Sequence, residues 1–192
     1  SLIINTLEAW YLFESGQPAA AQTRLQRALD IDPQFWVAHW VLGDIAFEQG
    51  DTRRALEEYE RASARAQTPQ IRAVVAHAQA LSGDRASAQA TLDALEALSK
   101  RTYVPPTALS KIHAALGQRD RAFEALDRAV EERDGRLTFL MIDPEWRELR
   151  GDARFAVLRQ RMKLDEVRTP PSTKKMNFSG SSPRRRPGAF RR

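Results

Sequence analysis

The 192-residue sequence contains no cysteine, which excludes disulfide bonds, thiolate metal sites and cysteine nucleophiles. Its longest apolar runs, at 9–13 and 35–42, are far too short to cross a bilayer. Acidic residues are missing from 168–192, which holds eight of the 30 lysines and arginines. The net charge of +5 therefore belongs to this tail, whereas 1–167 carry 22 basic and 25 acidic groups. A basic body that would wrap nucleic acid is not indicated.

The sequence also lacks a signal peptide, since no basic stretch followed by a short apolar core stands at its start. It begins with Ser1 instead of methionine. From these features we predict a cytoplasmic location and a piece of a longer protein, with a membrane-anchored parent left open. The fragment itself is not expected to insert into a membrane.

An internal repeat organises the first 134 residues. Turn-type glycines recur at gaps of 34, 33 and 34 residues, at Gly16, Gly50, Gly83 and Gly117. An alanine follows each glycine after five residues, at Ala21, Ala55, Ala88 and Ala122. A small residue precedes each glycine by seven, at Ala9, Gly43, Ala76 and Ser110. Such columns are typical of stacked helical hairpins, in which small residues let two helices approach closely and neighbouring units share a core.

Apolar residues at three- and four-residue spacing predict two helices in each repeat. The predicted helices are 2–15, 18–31, 34–49, 52–66, 69–82, 85–99, 105–116 and 119–132. Beyond them the period breaks, and Asp143-Pro144 and Gly151-Asp152 are typical helix starts. We therefore predict a short helix and a second one over 152–163. Together they would cover the open end of the last repeat through Phe139, Trp146, Leu149, Phe155, Leu158 and Met162.

The period, the glycine turn and the alanine columns resemble the tetratricopeptide repeat (TPR), most clearly in "WVAHWVLGDIAFEQGDTRRALEEYERA" at 36–62. The resemblance implies an all-α, right-handed superhelical solenoid with a C-terminal helical cap. The expected domains are four repeats in 1–134 (2–33, 36–67, 69–100 and 103–134), capping helices in 135–164 and a disordered basic tail in 165–192. The third repeat is a weaker match, with Gln79 where an aromatic residue is usual.

The segment from Tyr103 to Phe155 also resembles the C-terminal ends of bacterial signalling proteins. In those proteins a TPR array follows a winged-helix regulator, a nucleotide cyclase or a protein kinase domain. This resemblance implies an effector domain upstream of the repeats.

No catalytic motif is present: the sequence has no phosphate-binding glycine loop, no Gly-x-Ser-x-Gly and no His-Glu-x-x-His. The three histidines, His39, His77 and His113, occupy different repeat columns without a second metal-type ligand beside them. His113 stands where an aromatic residue usually packs, which predicts a partly buried spacer. We predict a protein that is not an enzyme and binds no cofactor or metal.

In the TPR family, the first helix of each pair lines a concave groove. Carried over column by column, the resemblance implies a protein-binding groove formed by Trp10, Phe13, Glu14, Val37, Trp40, Asp44, Phe47, Glu48, His77 and Lys111. Its first half is aromatic and acidic, which favours a ligand with apolar and basic side chains. The lysine and asparagine clamp of chaperone-binding TPRs is replaced by Thr6, Trp10, Val41 and Asp44, so capture of a terminal carboxylate is not expected.

The resulting functional prediction is a non-catalytic interaction module, a scaffold or sensor at the C-terminal end of a larger bacterial signalling protein. It would bind a peptide or helix in its groove. Three alternatives remain open. The groove aromatics could pack within the molecule, or Trp10, Phe13 and Trp40 could mediate homo-oligomerisation. A nucleic-acid-associated role could come from the basic tail, through Arg184–Arg186, or from a winged-helix domain.

Overall fold

The computed structural model describes residues 1–141 and 143–163, and these residues form helices without any strand. Eight α-helices follow one another, and their positions confirm the predicted helices to within a few residues. They are α1 (Leu2–Glu14), α2 (Pro18–Ile31), α3 (Trp36–Glu48), α4 (Thr52–Ser63), α5 (Pro69–Leu81), α6 (Arg85–Ser99), α7 (Pro106–Ala115) and α8 (Arg119–Glu131). Two 3₁₀ helices, Gly135–Phe139 and Pro144–Leu149, precede a final α9 (Ala153–Arg161).

The turn inside each hairpin needs a left-handed backbone, which the repeated glycines supply. Their φ angles are +75°, +79°, +96° and +72°. In this region of φ, any residue with a Cβ atom is destabilising relative to glycine. Asp51 and Asp84 then cap α4 and α6 by accepting hydrogen bonds from the backbone amides three residues ahead. Gln118 stands in the same position before α8 but does not cap the helix, because its side chain bonds instead to the Nδ1 atom of His113 at 2.7 Å.

Each hairpin closes tightly at the column of small residues. At Gly43 an added Cβ would lie 2.3 Å from the Tyr59 ring, so only glycine fits between α3 and α4. Ala9 and Ala76 in the same column are fully buried, as is Ala21 in the alanine column. The small-residue pattern in the sequence therefore reports the approach of the two helices in each hairpin.

Successive hairpins stack through the second helix of one pair and the first helix of the next. α2 packs on α3, α4 on α5, and α6 on α7, while α1 touches α3 and α5 touches α7. This all-α repeat solenoid is the predicted fold class, with a core that runs along the stack instead of gathering in one centre. Among the described residues, no helix combines the length and hydrophobicity that a membrane crossing requires.

The C-terminal end of the stack is covered by the residues after α8. Buried apolar side chains from this region join Phe123, Leu126 and Ala129 of α8 in one cluster; they are Leu137, Leu140, Trp146, Leu149, Phe155 and Leu158. Met162 packs against the same cluster. The expected position of Phe139 in this cap is wrong, because its ring lies against Trp10 of α1 instead. The predicted basic tail, 165–192, lies outside the described residues.

Candidate functional site

The inner face of the solenoid, formed by the first helices α1, α3, α5 and α7, is crossed by the described residues 135–141 and 143–149, which we call the return segment. Its second 3₁₀ helix, Pro144–Leu149, packs against α7 and touches α3. Its first 3₁₀ helix, Gly135–Phe139, reaches α1 and α3 through ring contacts. A peptide-like part of the same chain therefore occupies much of the surface that the sequence predicts as a binding groove.

Lys111 of α7 is the ionic centre of this contact. Its Nζ atom lies 3.0 Å from Asp143 Oδ2 and 3.2 Å from Glu145 Oε1, and only 5% of the residue is exposed. Burial alone would lower the pKa of Lys111, but the two carboxylates outweigh it and raise the pKa above its ordinary value. The ammonium is thus held in its charged form, and its site is already filled by the return segment.

Trp146 anchors the second 3₁₀ helix. Its side chain is fully buried, and the Lys111 ammonium lies 4.7 Å from the centroid of its ring, a cation–π arrangement. The backbone amide of Trp146 donates to the carbonyl oxygen of Asp143, which holds the turn before the helix. The contact therefore combines burial of an apolar ring with an ionic cluster. Removing the return segment would expose apolar surface of the repeats and leave the Lys111 ammonium without its carboxylate partners.

The aromatic side chains at the other half of the inner face form a layered cluster. The rings of Trp10 and Phe139 meet edge to face with centroids 5.1 Å apart. The Arg136 guanidinium lies 5.0 Å from the Trp40 ring and 4.9 Å from the Phe139 ring. The ring of Trp36 is stacked on that of Trp40, with centroids 6.1 Å apart. These half-buried aromatics bind a basic and an aromatic side chain of the return segment.

Asp44 of α3, also predicted as a groove residue, accepts a hydrogen bond from the Tyr59 hydroxyl at 2.8 Å. Burial, together with the neighbouring carboxylates Glu145 and Asp143, raises the pKa of Asp44 well above its ordinary value. Its negative charge is therefore disfavoured, and Asp44 fits the acidic rim expected from the sequence poorly.

His77 of α5 is a packing residue in the described structure. Its ring meets Phe47 edge to face at 5.2 Å, and burial together with the Lys111 charge lowers its pKa to about 3. It is neutral at physiological pH and does not act as a cationic contact. His113, predicted as a partly buried spacer, is buried between hairpins and bonds Gln118.

The acidic part of the inner face that remains accessible is a cavity of about 440 Å³ at the hairpin turns of α1 and α3. It is lined by Phe13, Glu14, Gly16, Pro18, Glu48 and Gln49. Burial, followed by repulsion from Asp143 and Glu48, raises the pKa of Glu14. Arg147 of the return segment donates to Glu48 at one side of this cavity. A second basic side chain would be electrostatically favoured there.

The ten sequence-predicted residues do not form one site. Trp10, Trp40 and Lys111 contact the return segment directly. Phe13 and Glu14 line the open cavity, as does Glu48, which also pairs with Arg147. Phe47 and His77 pack against each other, Asp44 bonds Tyr59, and Val37 is half-buried on α3.

Sequence reasoning missed the other side of this site, namely Arg136, Asp143, Glu145 and Arg147. The only sequence feature that could have indicated these residues is charge. The acidic residues of this segment pair with a basic residue of the inner face, and Arg147 pairs with an acidic one. Helical periodicity cannot report such pairing, because it depends on the path of the chain.

A further buried polar cluster lies between α3 and α4. Buried His39 places Nδ1 2.7 Å from Glu58 and Nε2 3.0 Å from the Pro33 carbonyl, which ties α3 to α4 and to the preceding loop. Within the described ranges, no three His, Cys, Asp or Glu side chains are grouped so that they could hold a metal ion.

Comparison with known families gives a match to a family model described as tetratricopeptide repeat, over residues 12–78. This segment runs from the end of α1 into α5 and so covers the second hairpin and its packing on both neighbours. No curated protein is significantly similar to the chain.

Proposed function

The chain is a tetratricopeptide-repeat protein, and we propose that it works as a non-catalytic interaction module whose inner face recognises a peptide or helix of a protein partner. Repeats of this family generally mediate protein–protein interaction and have no enzymatic role of their own. The recognition involves no covalent step. We further propose that the chain is the C-terminal scaffold or sensor part of a larger regulatory protein.

One observation carries this proposal: the inner face already binds a peptide-like segment of its own chain. Arg136 and Phe139 occupy the aromatic cluster around Trp10 and Trp40 without belonging to any repeat helix. Planar aromatic rings and a basic side chain are the contacts that dominate protein interaction hot spots. A surface that binds an aromatic and a basic side chain of its own chain is suited to bind the same side chains of a partner.

The carboxylates of Glu14 and Glu48 in the open cavity favour a partner with a positive charge. Both carboxylates are exposed, and Arg147 engages only Glu48. We therefore expect a partner segment with at least one lysine or arginine, placed next to an apolar or aromatic residue that contacts Phe13. Such a partner extends the return segment along the inner face, or displaces its outer part around Phe139.

The test is capture of partners on the immobilised full chain, followed by identification of the retained proteins. The variant Glu14→Lys/Glu48→Lys reverses the charge of the cavity, and we expect it to lose the specific partner. The matched control is Glu57→Lys/Glu60→Lys, which makes the same charge change at exposed positions of α4. Circular dichroism verifies that both variants keep the wild-type helix content.

A second variant tests whether cis and trans contacts share one surface. Arg136→Ala/Phe139→Ala removes the return segment's side chains from the aromatic cluster and should increase capture of the same partner. Retention of identical proteins in equal amounts by wild type and both charge variants would refute the proposal. Capture of nucleic acid instead, lost on deletion of 168–192, would favour the alternative role of the basic tail.

A further inference from the structure

Two neighbouring cavities follow the hairpin turns along one edge of the inner face. The first, of about 440 Å³, lies between the turns of the first two hairpins and is lined by Glu14 and Glu48. The second, of about 90 Å³, lies between α3, α5, α7 and the return segment and is lined by Arg147 and Glu148. The ion pair between Glu48 and Arg147 joins the two cavities, which we together call the acidic strip. Its walls are formed by the described hairpins and the return segment.

Apolar side chains line both cavities of the acidic strip. Phe13 and Phe47 each stand three residues before a turn glycine, so they occupy the same column in successive hairpins. Both are half-buried, and Leu81 of the third hairpin, which lines the second cavity, is 41% exposed. Such partly exposed rings and aliphatic side chains are suited to bind an aromatic side chain.

Carboxylates outnumber basic side chains in the acidic strip. Glu14, Glu48 and Glu148 are exposed there beside one arginine, Arg147. The pKa of Glu14 is raised by burial and by the like charges of Asp143 and Glu48. A cation placed in the strip would relieve this repulsion. The acidic strip therefore favours an occupant that is both basic and aromatic.

The sequence itself contains a segment of that composition, 174–192, which lies outside the described residues. It holds seven lysines and arginines and no acidic residue. A phenylalanine stands close to basic residues in KKMNF at 174–178 and in FRR at 190–192. The return segment uses the same pair of side-chain types on the inner face, through Arg136 and Phe139. Charge and composition thus complement the acidic strip.

The chain is long enough to bring this segment back to the acidic strip. α9 begins six residues after Arg147 and has nine residues, so the path from Arg147 to Lys163 covers at most about 40 Å. Residues 164–192 can extend over about 100 Å. Tethering also gives such a segment an effective concentration of about 1 mM, so that even a weak contact is populated.

We propose that residues 174–192 bind along the acidic strip of their own chain and compete there with the basic partner segment of the proposed function. The lysines and arginines neutralise Glu14, Glu48 and Glu148, and a phenylalanine contacts the apolar side chains of the strip. The competition rests on the proposed function, whereas the contact does not. Binding of the partner then requires displacement of 174–192.

Paramagnetic broadening in the full chain tests the contact. Because the chain contains no cysteine, Ser181→Cys gives a single site for a nitroxide label between the two groups of basic residues. Amide signals in ¹H–¹⁵N spectra are compared before and after reduction of the label. Gly16 and Gly50 report on the first cavity, and Ala66, three residues beyond the far end of α4, is the reference.

We expect the oxidised label to reduce the signals of Gly16 and Gly50 much more than that of Ala66. The variant Glu14→Lys/Glu148→Lys should abolish this difference. Both substituted side chains are exposed, so the fold should be kept, which circular dichroism verifies. The matched control Glu57→Lys/Glu60→Lys should behave like the wild type. Since the Debye length falls to about 3 Å in 1 M salt, 1 M sodium chloride should also weaken the effect.

Partner capture on the immobilised full chain tests the competition. Replacing the seven lysines and arginines of 174–192 by serine should increase the amount of partner retained. Replacing only the five arginines of this segment by lysine keeps the charge and should leave capture unchanged. Broadening without any captured partner would support the contact and refute both the proposed function and the competition. Partner capture without broadening would refute the contact alone.

Three NMR results would overturn the contact. The first is an equal loss of signal at Gly16, Gly50 and Ala66; salt-dependent binding of duplex DNA, lost in the seven-serine variant, would then make nucleic acid the ligand of 174–192. The second is equal broadening in the presence and absence of Glu14→Lys/Glu148→Lys, which would place the segment elsewhere. The third is equally strong broadening when ¹⁵N-labelled wild type is mixed with spin-labelled chain, which would indicate a contact between copies. Unchanged capture by the seven-serine variant would overturn the competition.

Discussion

The two ends of the described solenoid differ in whether the apolar face of the terminal hairpin is buried. At the C-terminal end, six apolar side chains of the residues after α8 are buried against the last hairpin. At α1, Ile4, Leu7 and Tyr11 are exposed although their equivalents in every later hairpin are buried. A repeat unit cannot bury both of its faces alone. The comparison therefore separates an end that later residues of the chain cover from a helix face that is exposed in the described residues.

The largest effect is expected from Trp146→Ala at the covered end. Trp146 is fully buried and also interacts with Lys111, so its loss should reduce the free energy of unfolding by about 3–5 kcal/mol. Urea unfolding followed by circular dichroism measures this change. A loss below about 1 kcal/mol would mean that the return segment contributes little to the stability of this end.

A slightly smaller effect is expected from Lys111→Met, which removes the cation that Asp143 and Glu145 share. Breaking a buried ion pair leaves uncompensated charge, and about 3 kcal/mol of stability should be lost. The estimate is at the low end because Arg136 still lies 3.9 Å from Asp143. Lys111→Met/Glu145→Gln should recover part of the loss in the same unfolding measurement, and a double variant as unstable as the single one would contradict the ionic role.

A pH-dependent effect of intermediate size is expected from Asp44→Asn. Because the folded pKa of Asp44 lies above its ordinary value of 3.8, proton binding stabilises the folded state fully below that value. This contribution is lost as the pH rises through the folded pKa. The stability of Asp44→Asn relative to wild type should therefore increase from pH 4 to pH 7. A difference that is independent of pH in urea unfolding would argue against a raised pKa.

The smallest effect is expected at the uncovered end, from Tyr11→Ala. The side chain is 71% exposed, so the free energy of unfolding should change by no more than about 0.5 kcal/mol. When Tyr11→Ala and Trp146→Ala are measured in the same assay, the two changes in the free energy of unfolding compare the two ends directly. A loss of several kcal/mol would show that the α1 face is already covered in the isolated chain.

Much of this architecture is predictable from sequence because repetition multiplies weak signals. One glycine is a poor indicator of a turn, but Gly16, Gly50, Gly83 and Gly117 at a common period predict four left-handed turns, and all four are found. The buried small residue at Gly43 is likewise predicted by its column, although the reason for glycine, the Tyr59 ring, requires coordinates.

The inner face was predictable only in part. The column rule predicts Trp10, Trp40 and Lys111 as groove residues, and in the described structure all three contact the return segment. It does not reveal that Arg136, Phe139 and Asp143 would cover them, because the return segment has no repeat and its path depends on tertiary contacts. The 3₁₀ conformation of Gly135–Phe139 and Pro144–Leu149 was missed for the same reason.

The ring contact between Trp10 and Phe139 has a consequence for how the molecule unfolds. In an ordinary repeat array each unit touches only its neighbours, so terminal units can fray one at a time. Here α1 and α3 are fastened to residues that follow α8, through Phe139 and through the Arg147–Glu48 ion pair. The first hairpin cannot unfold without breaking its contact with the return segment. Hydrogen exchange in α1 and in 135–149 should therefore rise and fall together.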